Sequence, residues 1–293
     1  MALCHLLTKG ADETALLNRA RRLENVRWPS LRRAARLFSR TEDTGSASVG
    51  SDAVLDQRFG DRTVKENLQA AIDAGKLIEH EDGRLSLPRA RGRTKPWVLV
   101  TNGPYLACGF LTQVVFDAAY AQSAVPMGCS ACYKIKVKAT TLRELVAAWH
   151  LAKSIDCSSK WGVDLDNPHS QDVYAGYFYA GDLDAARALY KVVREAIDAD
   201  PKLGPGIKMT IKRGCSRFEA AVGPSDSYTF TPEMAEIETY LRSRFKQRVI
   251  LEQTDFHQEM GQWIDLAFRM GDDTYLDFTG GKRLRPATMT YEP

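Results

Sequence analysis

Six cysteines are the residues of this chain whose type and spacing most directly suggest chemistry. Cys129-Ser130-Ala131-Cys132 is a C-x-x-C pair, a spacing that lets two thiolates converge on one metal ion. Cys157 and Cys215 stand apart from it, Cys157 at the end of a helix expected from Leu142 onward and Cys215 just after a strand expected to end at Lys212. A strand start, the end of the following helix and the end of a later antiparallel strand can all fall at one end of a sheet. The spacing therefore predicts a cysteine-ligated centre on Cys129, Cys132, Cys157 and Cys215. Wide separations suit an iron–sulfur cluster embedded in a folded domain, with 4Fe-4S the preferred type and zinc the alternative. Ser130, Ser158 and Ser216 each follow a cysteine, where a hydroxyl could donate to cluster sulfur. Cys4 and Cys108 lie in apolar contexts and read as buried thiols.

Two further sets of residues carry charge in a usable pattern. Asp164-Leu165-Asp166 puts two carboxylates on the same side of an extended segment, a pair that can hold Mg²⁺ for nucleotidyl transfer. Asp164 and Asp166 are thus the catalytic candidates. Lys134, Lys136 and Lys138 alternate with apolar residues along one expected strand, and Lys208 and Lys212 share a face of another. If those faces coincide, the sheet presents a basic surface suited to a nucleic-acid backbone. His169 reads as a surface histidine.

The elements that must position these residues follow from periodicity. Residues 13–40 are helical in pattern and rich in arginine, and Trp28-Pro29-Ser30 breaks them into two helices. Arg89 to Pro96 is a small-residue, basic linker, which divides the chain into domains 1–93 and 94–293. Beyond it, Trp97 to Val100 and Val173 to Ala180 read as strands, as do the alternating runs Tyr133–Ala139 and Ile207–Lys212. Leu142, Leu145, Val146, Trp149 and Ala152 recur at helical spacing. Asp182 can cap a second helix with Ala185, Ala188, Leu189, Val192 and Ala196 on one face. This order predicts an α+β fold whose second domain is an α/β sandwich, a ferredoxin-like arrangement being preferred. Pro232 to Phe245 reads as a further amphipathic helix.

Residues 52–87 have their own signature. Ser51 to Gly60 reads as a short helix, Gly60-Asp61 as a turn and Arg62 to Ala74 as a longer helix closed by Gly75. Leu77 to His80 and Arg84 to Leu87, joined at Asp82-Gly83, read as a two-stranded ribbon. This pattern resembles the winged helix-turn-helix family. The resemblance implies that Arg62, Lys65 and Gln69 face the major groove while Arg84, with Arg89 and Arg91 beyond it, contacts phosphate. Glu66 on the same face departs from that role. The Asp164–Asp166 string loosely resembles the first metal motif of archaeo-eukaryotic primase–polymerases. That family's later histidine has no counterpart here, because Glu219 stands in its place.

The bulk composition narrows the classes. Of 293 residues, 44% are apolar and 26% charged, which is ordinary for a globular chain. The net charge of +3 excludes a uniformly basic protein but not a local basic face. No apolar run approaches the roughly 18 residues of a membrane helix, and the first residues lack the pattern of a signal peptide. A cytoplasmic location with reduced cysteines is therefore expected. Together these readings predict a nucleic-acid-binding protein with a cysteine-ligated centre, a regulator or a component of a replication or mobile-element complex. The alternatives are a metal-dependent nucleotidyltransferase and an iron–sulfur electron-transfer or assembly partner.

Overall fold

Strand pairing in the central sheet follows from the alternation of its sequences. The computed structural model describes residues 52–88, 97–100, 108–164, 172–246 and 256–284. Five strands, β5 (Trp97–Val100), β6 (Tyr133–Ala139), β7 (Ser159–Val163), β8 (Tyr174–Ala180) and β9 (Lys208–Arg213), form one sheet in the order β5-β7-β8-β6-β9. Every neighbouring pair is antiparallel. Helix α2 (Leu142–Ala152) joins β6 to β7, and α3 (Leu183–Ala199) joins β8 to β9. The connectivity from β6 to β9 is thus β-α-β-β-α-β, with both helices packed on the same side. The strand at Ser159–Val163 is not marked by alternation, since Gly162 and Trp161 interrupt any simple pattern.

Both helices start on caps legible in the sequence. The Thr141 side chain accepts from the Glu144 amide at the start of α2, and the Asp182 carboxylate accepts from Ala185 at 2.6 Å at the start of α3. Helix α2 buries Leu142, Leu145, Val146, Trp149 and Ala152 as expected. In α3 the buried stripe is Ala185, Ala186, Leu189, Val193 and Ile197, so it is rotated from the expected one and leaves Ala188 exposed. These helices cover Ile135, Val137 and Ala139 of β6 and Phe178 of β8, all buried. Gly176 sits against the Trp161 ring, and a Cβ there would lie 2.0 Å from it, so only glycine fits at this strand position.

Residues 52–88 fold into a 3₁₀ turn (Asp52–Asp56), a short hairpin of β1 (Arg58–Phe59) and β2 (Arg62–Thr63), helix α1 (Val64–Asp73), and the ribbon β3 (Ile78–Glu79) with β4 (Leu85–Ser86). The helix expected over Ser51 to Gly60 is therefore only a 3₁₀ turn followed by a strand. Helix α1 begins at Val64 instead of Arg62, because Thr63 caps it and Glu66 closes a reciprocal capping box with the Thr63 backbone. Gly75 and Gly83 adopt the left-handed φ values of +67° and +73° that end the helix and turn the ribbon.

This segment shares a core with the residues that follow the linker. Val64, Leu68, Ala71, Leu77 and Leu85 pack with a π-helix (Phe110–Ala119), with Phe218 of α4 (Ser216–Val222) and with Ile237 and Leu241 of α5 (Pro232–Arg244). The Asn67 amide donates to the carbonyls of Phe59 and Ala119, and Arg244 donates to the Gly83 carbonyl. All the described residues belong to one compact unit, Thr41–Pro293. Among them, no helix is long and apolar enough to cross a membrane. Helix α6 (Phe256–Met270) and a 3₁₀ turn (Asp273–Phe278) complete the described chain.

Candidate functional site: the polar face of the sheet

Register decides which side chains share the sheet face opposite α2 and α3. Lys134, Lys136 and Lys138 pair with Tyr179, Tyr177 and Ala175 of β8 on one side, and with Lys212, Thr210 and Lys208 of β9 on the other. Tyr177 in turn pairs with Lys160 of β7, which pairs with Leu99 of β5. Since directly paired residues lie on one face, the two lysine sets do coincide, and Lys160, Tyr177, Tyr179 and Trp97 join them.

The lysines on this face are held among aromatic rings and acids. The Lys160 ammonium lies 4.3 Å from the Trp97 ring centroid and 5.2 Å from that of Tyr177. Burial, then the nearby Lys134 charge, push the Lys160 ammonium below the usual lysine range. Lys136 and Lys138 both bridge to Asp172, at 2.5 and 3.4 Å. The Tyr177 hydroxyl donates to Asp164, which is buried just past the end of β7. Burial, then the Asp164 charge, raise the Tyr177 phenol far above its ordinary value. Lys208 is exposed, Leu99 is exposed, and Trp97 is half-buried, so the outer part of the face meets solvent.

At the end of the sheet where β6 begins and β9 finishes, the same face is closed over by thiols. The Gly214 amide donates to the Cys132 carbonyl at 2.8 Å, adding one pair to the β6–β9 ladder. Lys134 is only 5% exposed, and its ammonium donates to the Cys215 sulfur at 3.1 Å. Burial works to raise the Cys215 thiol, but the charge and hydrogen bond of Lys134 outweigh it, and the thiol lies below its ordinary value. Cys129 is pushed well above, and Cys132 up to about 11, chiefly by burial. Cys108 feels the charges of Lys134 and Cys215 and belongs to the same neighbourhood. The turn Met127–Cys129 is fixed by Glu238 of α5, whose carboxylate accepts from the Met127 amide and from the Gly128 amide at 2.8 Å.

The four expected ligands do not assemble. Cys157 donates instead to the carbonyls of Tyr179 and Ser158, at 3.2 and 3.4 Å, and burial pushes its thiol up to about 12. Among the described residues, no three His, Cys, Asp or Glu side chains form a group that could hold a metal ion. The end of α2 does return to the predicted end of the sheet. There, backbone carbonyls of β8 and the β7 approach occupy the Cys157 sulfur. Among the described residues, the four cysteines expected from their spacing to hold an iron–sulfur or zinc centre thus do not form one group.

The remaining expected site residues divide. Arg62, Lys65 and Arg84 are exposed, as is Gln69, whose amide donates to Asp73. Arg62 lies in β2 and so leaves the helix face it was assigned to. Glu66 is accounted for by its cap, and with Asp73 it outweighs Lys65, so α1 carries no net positive charge. Arg89, Arg91, Asp166, His169 and Cys4 lie outside the described residues. Lys160, Tyr177, Tyr179 and Asp172 were not singled out from sequence. Recognising β7 would have found Lys160, because its parity against β8 follows at once. A comparison of the chain with protein-family models, curated proteins and solved structures found no match.

Proposed function

We propose that this chain binds nucleic acid, and that a single strand lies across the lysine and aromatic face of the five-stranded sheet. One observation carries the reading: the register puts Lys136, Lys138, Lys160 and Lys208 on one face with Trp97 and Tyr177, opposite α2 and α3. Cations supply the backbone attraction and the half-buried Trp97 ring supplies stacking surface, the pairing that sequence-tolerant single-strand sites use. The β-α-β-β-α-β connectivity supports the ferredoxin-like reading of the sheet, a layout that leaves one face for a ligand. The helix-and-ribbon order of residues 58–86 supports a winged-helix-like role for that segment, but its docked ribbon and capped Glu66 make it the weaker contact.

Binding of a fluorescent single-stranded oligonucleotide, followed by anisotropy at increasing salt, tests the reading. Affinity is expected to fall steeply with salt as counterions are released. No binding at low salt would remove it.

A second reading rests on Asp164, a buried carboxylate on the same face that receives the Tyr177 hydroxyl. Nucleotidyl transfer through Asp164 and Asp166 would require metal-dependent incorporation that Asp164→Ala abolishes. We expect Asp164→Ala to leave oligonucleotide binding largely intact and no incorporation to be detected in either protein.

A further inference from the structure

Buried ammonium groups are rare, because burial normally drives a lysine toward its neutral form. Lys134 is 5% exposed, yet its ammonium donates to a sulfur atom 3.1 Å away. The chain is built to bring that sulfur there. Gly214 takes a left-handed φ of +65° directly after β9, which turns the next residue, Cys215, out of the strand's alternation and onto the lysine face. Cys132, two residues before Lys134 on the same strand edge, shares its parity and is 8% exposed. Its carbonyl accepts from Gly214, so Cys132 and Cys215 are one residue out of direct register. Directly paired antiparallel residues have Cα atoms about 4.5–5.5 Å apart, and Cys215 is the residue next to the partner of Cys132. A disulfide needs about 4.4–6.8 Å. Cys215 itself is half-buried.

We propose that Cys215 is a hydroperoxide-reactive thiolate held by the Lys134 ammonium, with Cys132 as its resolving thiol, so that oxidation closes a Cys132–Cys215 disulfide at the end of the sheet. The steps balance. The Cys215 thiolate attacks one oxygen of a hydroperoxide, the O–O bond breaks, and the other oxygen leaves as hydroxide or alkoxide, giving a sulfenic acid. The Cys132 sulfur then attacks the Cys215 sulfur, the S–O bond breaks, and the hydroxyl leaves with the thiol proton as water. Two thiols are oxidised and one peroxide is reduced. The nucleophile is Cys215 because its sulfur lies 3.1 Å from the Lys134 ammonium and the residue is less buried than Cys129, Cys132 and Cys157. Oxidation also removes the anion beside Lys134, on the face proposed to bind nucleic acid. The thiol chemistry does not depend on that binding.

The test uses the full reduced chain, its iron and zinc content measured first, then treated with one equivalent of hydrogen peroxide and mapped by peptide mass spectrometry. The expected product is a Cys132–Cys215 linkage. In Cys132→Ser the expected product is a Cys215 sulfenic acid trapped by a 1,3-dione reagent. Lys134→Met is expected to slow oxidation of Cys215 by about tenfold or more, and Cys132→Ser keeps the test valid should Lys134→Met fail to fold. Three results would each overturn the proposal: stoichiometric metal that Cys215→Ser releases, a Cys129–Cys132 linkage in place of the predicted one, or a Cys215 that oxidises no faster than Cys157.

Discussion

The fit of single side chains sets the tightest constraints on this molecule. Gly176 is the clearest case, because a Cβ there would lie 2.0 Å from the Trp161 ring, and Trp161 is fully buried. Gly176→Ala is expected to destabilise the fold by about 3 kcal/mol or more, the upper range for overpacking a rigid core, measured as a shift in the denaturation midpoint. Wild-type stability in that variant would mean that the Trp161 ring has room to move. The same fine grain explains what was and was not legible in the cysteines. The C-x-x-C spacing correctly marked Cys129 and Cys132 as neighbours, and the antiparallel placement of β9 brought Cys215 beside them. The hydrogen bonds of the Cys157 sulfur to backbone carbonyls were not legible, because spacing says where an element ends but not which acceptor its last side chain meets. Cys108 was passed over because an apolar context does not reveal the charged neighbours it acquires in the fold.

Helix starts and strand parity carry the argument at the scale of elements. Thr63→Ala removes the cap of α1 and is expected to cost about 1 kcal/mol, read from thermal or denaturant unfolding. An unchanged midpoint would show that packing against the π-helix alone fixes the helix start. At α2 the first amide, Leu142, donates to Asp272 at 2.6 Å, and Tyr174 donates to the same carboxylate at 2.8 Å. Burial works to raise Asp272, but hydrogen bonds from Thr274, Leu142 and Tyr174 outweigh it and hold the carboxyl below its ordinary value of 3.8. A depressed acid stabilises the fold above its unfolded value and loses that contribution as pH falls through its folded value. Asp272→Asn is therefore expected to lower the melting temperature at neutral pH, with the gap to wild type closing as pH drops below about 3.8. A gap that does not depend on pH would deny the carboxylate its role. Caps and alternation made β6, α2, β8, α3 and β9 legible in the sequence. Strand β7 was not, because a five-residue strand carrying Trp161 and Gly162 has no period to read, and with it went Lys160.

At the scale of the whole molecule, the near-neutral net charge conceals a local concentration of lysines that only strand pairing reveals. Sequence alternation gave the Lys134 set and the Lys208 set separately, and their coincidence on one face depended on β6 and β9 being neighbours. The basic surface was also anticipated on α1 and its ribbon, where Glu66 and Asp73 offset Lys65 and where Arg244 ties the ribbon to α5. The two surfaces make different predictions. Lys138 and Lys208 are accessible on the sheet face, whereas Arg62 and Arg84 are accessible on the helix-and-ribbon segment. The most direct measurement compares single-stranded oligonucleotide affinity over a salt series for wild type, Lys138→Glu with Lys208→Glu, and Arg62→Glu with Arg84→Glu. Each phosphate contact adds about 0.7 to the salt slope for a single strand. The sheet-face double variant is expected to lose at least tenfold in affinity, about 1.4 kcal/mol, and to show a shallower slope, while the other stays within a few-fold of wild type. The reverse order, with Arg62→Glu and Arg84→Glu abolishing binding and the sheet variant unaffected, would contradict the sheet face as the binding surface.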